Sequence, residues 1–379
     1  MKPRDRSILV FLIVFLIIIG GWFVYHTMFK SIPVRMGYIG SQSGKLAAMG
    51  TSARNGAILA VEKINREGGI NGRPLELIML DDESIPSNSL AAAKELKKND
   101  VTIIVGPLTS AAATQMIPYI NSNAILTVGP VVSGSGLAGT DDFFIKLYTS
   151  SDTIGTKLAE LTFKYSRTNP VVVCDMQNRE YCESMLEGFT NVYSQKGMKI
   201  AGLCLFNSYN QYSFSDLAEN ILSNDPDCVF FIASALDTAL LVQHVKQRKR
   251  DVMLLTSSWA LSRDLIENGG KAVEGMFYYV PYDISSVSKA YSDFILDYDK
   301  RFGPGTSYAS MFNYEAIMLL EHCIRTCGSY AAEDIKKTML EGNPYQGLQG
   351  EYRINPTGDA ERYLYLNIIS NASFTRFGE

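Results

Sequence analysis

The stretch VTIIVGPLTSAAAT, Val101–Thr114, constrains the chain more than any other. Its five leading apolar residues, Val101 to Val105, read as a buried strand, and Gly106-Pro107 ends it. Thr109 and Ser110 then lead into Ala111–Ala113, a run of small residues suited to opening a helix. A strand that breaks at Gly-Pro and enters a helix through hydroxyl residues leaves backbone N–H groups unpaired at its carboxyl end. Those donors, the hydroxyls and the helix dipole together make a place for a carboxylate or another small anion. Ligands of open α/β sheets sit at that end of the strands. An ordinary turn with Ser or Thr as helix cap reads the same way locally, so the surrounding chain has to decide.

The surroundings alternate. Val34–Gly40 reads as a strand, Ala47–Arg66 as a helix with Ala53, Ala57, Ala60, Val61 and Ile64 on one face, and Gly68-Gly69 as its stop. Pro74–Leu80 is a strand, Ser89–Lys98 a helix, and Ala124–Val128 a further strand. After Asp141 the order repeats: helix Leu158–Tyr165, strand Pro170–Asp175, helix Tyr181–Lys196, strand Ile200–Phe206, helix Phe214–Ser223, strand Cys228–Ala233, helix Thr238–Lys246 and strand Met253–Thr256. This alternation predicts two α/β units with parallel sheets, and a cleft between them. A chain of 379 residues can supply both cores.

The N-terminus has a different character. Lys2, Arg4 and Arg6 precede Ile8–Phe29, an almost wholly apolar run long enough to span a bilayer. Trp22 and Tyr25 stand near its far end, where amphipathic aromatics favour the interface, and the basic start orients everything after Lys30 outward. A transmembrane anchor is the expectation; a cleaved signal peptide competes, although no small-x-small site follows the run. The net charge of −4 gives no reason to expect nucleic acid. Six cysteines include Cys174, Cys204 and Cys228 in apolar strands, where buried thiols are expected. One disulfide is possible in an exported chain, but no pairing can be read. Cys323 and Cys327 have no second ligand pair, so no metal is expected.

An enzyme needs a constellation that is missing. The three histidines lie in the apolar N-terminal run (His26) and on helices (His244, His322), with no nucleophile at recognisable spacing. Gly134–Gly139, GSGLAG, matches a dinucleotide fingerprint but leads into another strand-like run rather than a helix, so it reads as a loop at the cleft rim. No cofactor is expected.

The segment GYIGSQSGKLAAMGTSARNGAILAVEKINREGGINGRPLELIMLDDES, together with VGPLTSAAAT, Asp152, Asp175–Gly188, Tyr308–Leu320 and the tail Leu348–Phe377, resembles the type I periplasmic binding proteins of the branched-chain amino-acid branch. The resemblance covers nearly all of Ile32 to Glu379. It implies two doubly wound parallel-sheet lobes joined by a three-crossing hinge, behind one N-terminal transmembrane helix. The crossings would fall near Tyr148–Ser151, Tyr278–Asp283 and Leu340–Gly347. Residues 1–30 would form the cytoplasmic stub and anchor, 31–149 and 282–344 lobe 1, and 150–281 and 345–379 lobe 2. The implied function is extracytoplasmic capture of an amino acid or related organic or aromatic acid, by closure of the lobes, for delivery to an ABC-type permease. A membrane-tethered sensing domain acting through a partner protein is the alternative.

The resemblance also implies site residues. Ser110, with Thr109 before it, matches the position that holds an α-carboxylate. Val132 and Ser133 match the second lobe-1 contact, normally a small residue followed by Thr. Tyr181 matches an aromatic facing the ligand from lobe 2, and Leu236 another lobe-2 wall position. Amino-acid binders of this family place a carboxylate in lobe 2 against the ligand ammonium, because a buried ammonium is costly without a partner. The corresponding loop here reads TSSWALS, Thr256–Ser262, and holds no acid. Asp175 or Asp237 would have to substitute from non-matching positions. Trp259 offers an aromatic face instead, which predicts a ligand that keeps its carboxylate and lacks the amino group.

Overall fold

Val34, Met36 and Tyr38 on one face of the first strand and Ile39 on the other are all buried, so this strand can only lie inside a sheet covered on both sides. In the computed structural model, which describes residues 14–20, 32–137, 139–342 and 344–378, it does. Strand β1 (Val34–Gly40) pairs in parallel with β2 (Leu75–Asp81) on one side and β3 (Ile103–Val105) on the other; β4 (Leu126–Gly129) and β5 (Phe144–Lys146) follow. The order is β2-β1-β3-β4-β5, a parallel doubly wound sheet that reverses direction between β1 and β3.

The second sheet repeats the plan. β6 (Pro170–Asp175), β7 (Gly202–Phe206), β8 (Cys228–Ile232), β9 (Met253–Thr256) and β10 (Phe277–Val280) are parallel, and β14 (Tyr365–Ser370) and β15 (Ser373–Arg376) add antiparallel strands at one edge. The order β15-β14-β10-β9-β8-β6-β7 reverses between β6 and β8. Parallel pairing needs a long crossover between strands, and the helices expected from the sequence occupy most of those places, β4 and β5 being joined by a loop with one 3-10 turn, Ser135–Leu137.

Between the sheets the chain takes a path that periodicity does not show. Helices Lys289–Phe302, Tyr308–Cys327 and Ala332–Glu341 return to the first sheet; Tyr308–Cys327 packs along Ala47–Arg66 so closely that a Cβ on Gly56 would meet the Ser310 carbonyl oxygen at 2.0 Å. The chain then builds a separate sheet of β11 (Tyr345–Gly347), β12 (Gly350–Ile354) and β13 (Ala360–Glu361) before entering the second sheet at Tyr365. That small sheet is tied to the first-lobe side. Lys146, 1% exposed, pairs with Asp359 at 3.1 Å, and Glu315 Oε1 accepts the Leu348 N–H at 2.7 Å.

The expected membrane anchor, Ile8–Phe29, lies mostly outside the described residues; 14–20 are helical with exposed apolar side chains. Among the described residues no helix is long and apolar enough to cross a membrane. All six cysteines are free thiols, five of them buried.

Candidate ligand-binding cleft

In each sheet the winding reverses at one point, and the loops leaving the strand ends beside it diverge into a crevice. On the first sheet these are the loops after β1 and β3. Gly106 has φ +114, and a Cβ there would meet the Ile39 carbonyl oxygen at 2.0 Å, so only glycine lets the loop after β3 lie against β1. The helix Ser110–Ser122 starts where the sequence places it. Thr109 is its cap, with Oγ1 accepting the Ala112 N–H at 3.2 Å. The Ala111 N–H donates across the cleft to Asn178 Oδ1 at 3.0 Å. Among the described residues the Ser110 N–H has no partner.

Ser110 is 1% exposed, and its Oγ accepts the N–H groups of Gly134 at 3.0 Å and Ser133 at 3.4 Å. Its own O–H is therefore left to donate. This joins the two loops that the sequence treated separately. Ser133 Oγ is buried with no partner, while the Ser133 carbonyl is held by Ser151. Val132 does not reach this surface. It belongs to the apolar cluster of Ile39, Ile104 and Phe144, and its neighbour Val131 packs instead against Ala53, Leu108 and Ala309. Successive side chains of an extended backbone turn to opposite faces.

On the second sheet Tyr181 and Trp259 come together edge to face, with ring centroids 6.1 Å apart at 82°. Tyr181 OH lies 3.3 Å from Ser258 Oγ. Burial pushes the Tyr181 phenol up to about 12, and burial likewise raises Tyr148 and Tyr308, so at neutral pH all three are uncharged hydrogen-bond donors. Leu236 is 48% exposed on the first turn of the helix Ala235–Arg248.

Tyr148, Tyr282, Tyr308 and Phe312 were missed by the sequence reading. Tyr148 sits on the first crossing and Tyr282 on the second. Tyr148 meets Phe312 at 5.1 Å and Tyr308 at 6.0 Å, while Tyr282 stacks on Tyr308 at 6.1 Å. The only signal in the sequence was aromatic enrichment at both crossings. The two sides are further bound by Ser135 N–H to Ser184 Oγ at 2.9 Å, Gly136 N–H to Glu180 Oε1 at 2.9 Å, and Tyr209 OH to the Ser84 carbonyl. Ser135 and Gly136 thus lie where the two sides meet, ahead of the strand Phe144–Lys146.

The two acids considered as substitutes lie at the second sheet's reversal point. Asp237 accepts from Tyr212 OH and from Ser234 Oγ. Asp175 Oδ1 accepts the Gln177 and Ser208 N–H groups at 3.1 and 3.0 Å, and Oδ2 is buried without a partner. Burial raises the Asp175 carboxyl above the ordinary carboxylate range, against the lowering effect of its hydrogen bonds. The folded protein then holds this proton more tightly than the unfolded chain. The Asp175 contribution to stability is full at acid pH and falls as pH rises through the raised value. Asp175→Asn should remove that decline, seen as a flatter melting temperature above about pH 4; an unchanged slope would refute the assignment.

A different concavity, of ≈ 280 Å³, lies at the amino ends of β9 and β10, lined by Arg167, Lys246, Arg250, Glu274 and Phe277 among others. It is at the far end of the strands from the cleft.

Comparison with known proteins agrees with this architecture. A family model described as periplasmic binding protein matches residues 33–371. A Leu/Ile/Val-binding protein homolog from Brucella abortus is 22% identical over 325 residues, covering 84% of this chain and 85% of the relative. A leucine binding protein from Thermotoga maritima superposes with a TM-score of 0.84 at 23% identity, covering 91% of this chain and 98% of the other. An ABC transporter solute binding protein from R. palustris, in complex with benzoate, has a TM-score of 0.81 at 16% identity and covers 92% of this chain and 96% of its own. With nearly the whole chain after residue 32 matched, and with two doubly wound lobes facing each other across a hinge, this protein belongs to the periplasmic binding protein family and has its type I fold.

Proposed function

We propose that this protein is an extracytoplasmic solute-binding protein that captures a small carboxylate in the inter-lobe cleft and delivers it to an ABC-type transporter. The observation that carries the reading is the Ser110 corner. A helix N-terminus with an unpartnered N–H, a hydroxyl free to donate and the buried Ser133 Oγ converge at the reversal point of lobe 1. Thr109 supports the corner as cap, and Tyr181 and Trp259 close the cleft from lobe 2. The relatives named for leucine, isoleucine and valine, and the neighbour bound to benzoate, are consistent with such a ligand. The protein acts by binding and not by catalysis.

The lobe division is proposed as residues 31–149 and 282–361 against 150–281 and 362–379, which moves the small sheet over 345–361 from the expected lobe 2 to lobe 1. Residues 1–30 serve as membrane anchor or as export signal. The apolar run Ile8–Phe29 also favours a second reading, a tethered sensing domain that works through a partner.

Melting the protein against a set of acids tests the proposal. The set holds leucine, isoleucine and valine, polar amino acids, and aromatic and aliphatic acids without an amino group. A ligand at about 100 times its Kd adds roughly 2.7 kcal/mol to the folded state, which is readily seen as a higher Tm. Ser110→Ala should weaken the responding acid roughly 10- to 100-fold, the effect of losing a hydrogen bond to a charged group. If no carboxylate raises the melting temperature, the capture reading fails.

A further inference from the structure

We infer that the ligand carries, besides its carboxylate, an oxygen acceptor that meets the indole N–H of Trp259; this rests on the carboxylate reading of the cleft. Trp259 Nε1 is buried and has no hydrogen-bond partner among the described residues. Native proteins rarely leave a buried donor unmade. Tyr181 packs against the ring edge at 6.1 Å, and the loop is fixed by Ser257 N–H to Phe231 O at 3.1 Å and by Leu261 N–H to Ser258 O at 3.1 Å.

The chemistry of this donor is more restrictive than that of its neighbours. Ser133 Oγ, Tyr148 OH and Ser257 Oγ are also buried and unpartnered. Each hydroxyl can donate or accept, so each would accommodate either kind of ligand group. An indole N–H can only donate. It therefore fixes the polarity of the ligand atom it faces: a hydroxyl, carbonyl or second carboxylate oxygen fits, and an ammonium does not. Asp175 ends β6, two strands from β9 and roughly 10 Å away across the sheet, and Asp237 lies on the first turn of the helix that follows β8, the strand next to β9 and roughly 5 Å from it. Asp152 keeps one buried unpartnered oxygen at the start of the helix Ser151–Lys164, as Asp175 does. These carboxylates are the rival partners for an ammonium and define the opposing outcome. The ligand class assigned is an acid with an oxygen function at its other end, such as a hydroxyaryl acid, a keto acid or a dicarboxylate.

The test is calorimetric titration of the full chain with two matched pairs, phenylacetate with 4-hydroxyphenylacetate and butanoate with succinate. In at least one pair the oxygen-bearing acid should bind tenfold or more tightly than its partner. In Trp259→Phe that ratio should fall to near one. A second readout uses the unaltered protein and so does not depend on the variant folding. The indole N–H resonance of Trp259, one of two tryptophans, should move downfield and exchange more slowly with the oxygen-bearing acid only. Equal affinities within both pairs, a ratio that survives in Trp259→Phe, or an indole resonance that does not move would overturn the inference while leaving carboxylate capture standing. Binding confined to amino acids and abolished by Asp175→Asn or Asp152→Asn would overturn it in favour of ammonium recognition. No binding by any carboxylate would remove both readings together.

Discussion

Arg362→Met should destabilise the protein by about 3–5 kcal/mol, the usual cost of leaving one partner of a buried ion pair alone. Arg362 and Glu315 have side chains only 8% and 4% exposed, with Nη2 and Oε2 2.7 Å apart. Arg362 Nε also donates to the Leu147 carbonyl at 3.1 Å, and the guanidinium lies over the Tyr352 ring at 3.9 Å and the Phe312 ring at 4.8 Å. Without the arginine, Glu315 keeps a buried charge answered by the Leu348 N–H. At roughly 2–4 °C per kcal/mol for domains of this size, a thermal melt should fall by about 6–20 °C. Glu315→Gln combined with Arg362→Met should recover a large part of the loss, because no charge is then stranded. A single-variant loss below about 1 kcal/mol would mean that the pair behaves as a surface bridge. The functional interest is the location. Arg362 joins the first crossing at Leu147, the helix Tyr308–Cys327 at Glu315 and the small sheet at Tyr352.

The second large effect is expected at Gly188. A Cβ there would stand 1.9 Å from the Asp152 carbonyl oxygen, and one on Gly155 would stand 2.2 Å from that of Met185. The helices Ser151–Lys164 and Arg179–Gln195 therefore cross backbone to backbone, each glycine facing the other helix. Neither carbonyl can rotate aside as a side chain would, so Gly188→Ala must separate the helices. Overpacking of this kind costs typically 1–3 kcal/mol. The displaced helix carries Tyr181, so ligand affinity should fall along with the Tm. Gly197→Ala gives a contrast: no atom lies within 4 Å of its Cβ position, and its cost comes from φ +68 alone. A Gly188→Ala protein with unchanged melting and binding would show that the helices can part freely.

Local patterning made much of the fold legible. Val34–Gly40, Pro170–Asp175 and Met253–Thr256 are strands over the residues that apolar runs indicated, and Ala47–Arg66 is a helix from end to end. Each of these has its period written in its own side chains. The helix Ser151–Lys164 was legible only from Leu158 onward, since Ser151, Asp152, Thr153, Gly155 and Thr156 are poor helix formers without an apolar stripe. Its first two turns are held from outside, by Gly155 against Met185 and by Ser151 Oγ on the Ser133 carbonyl at 2.8 Å. The small sheet β11–β13 was equally hidden, because its anchors, Lys146 with Asp359 and Glu315 with Leu348, join residues far apart in the chain.

The candidate site divides along the same line. Amino-acid order by itself determined that a strand ends at Gly106-Pro107, that a Ser or Thr stands at the cap of the helix after it, and that no acid stands in Thr256–Ser262, because caps, breaks and loop composition are properties of a few adjacent residues. Tertiary structure alone decided that Ser110 Oγ anchors the loop of Ser133 and Gly134, that Val132 is buried in the cluster of Ile39, Ile104 and Phe144, and that Trp259 meets Tyr181 with its N–H left over. Those facts depend on which way side chains point once two sheets face each other, and the contacts that set those directions lie between residues distant in the chain.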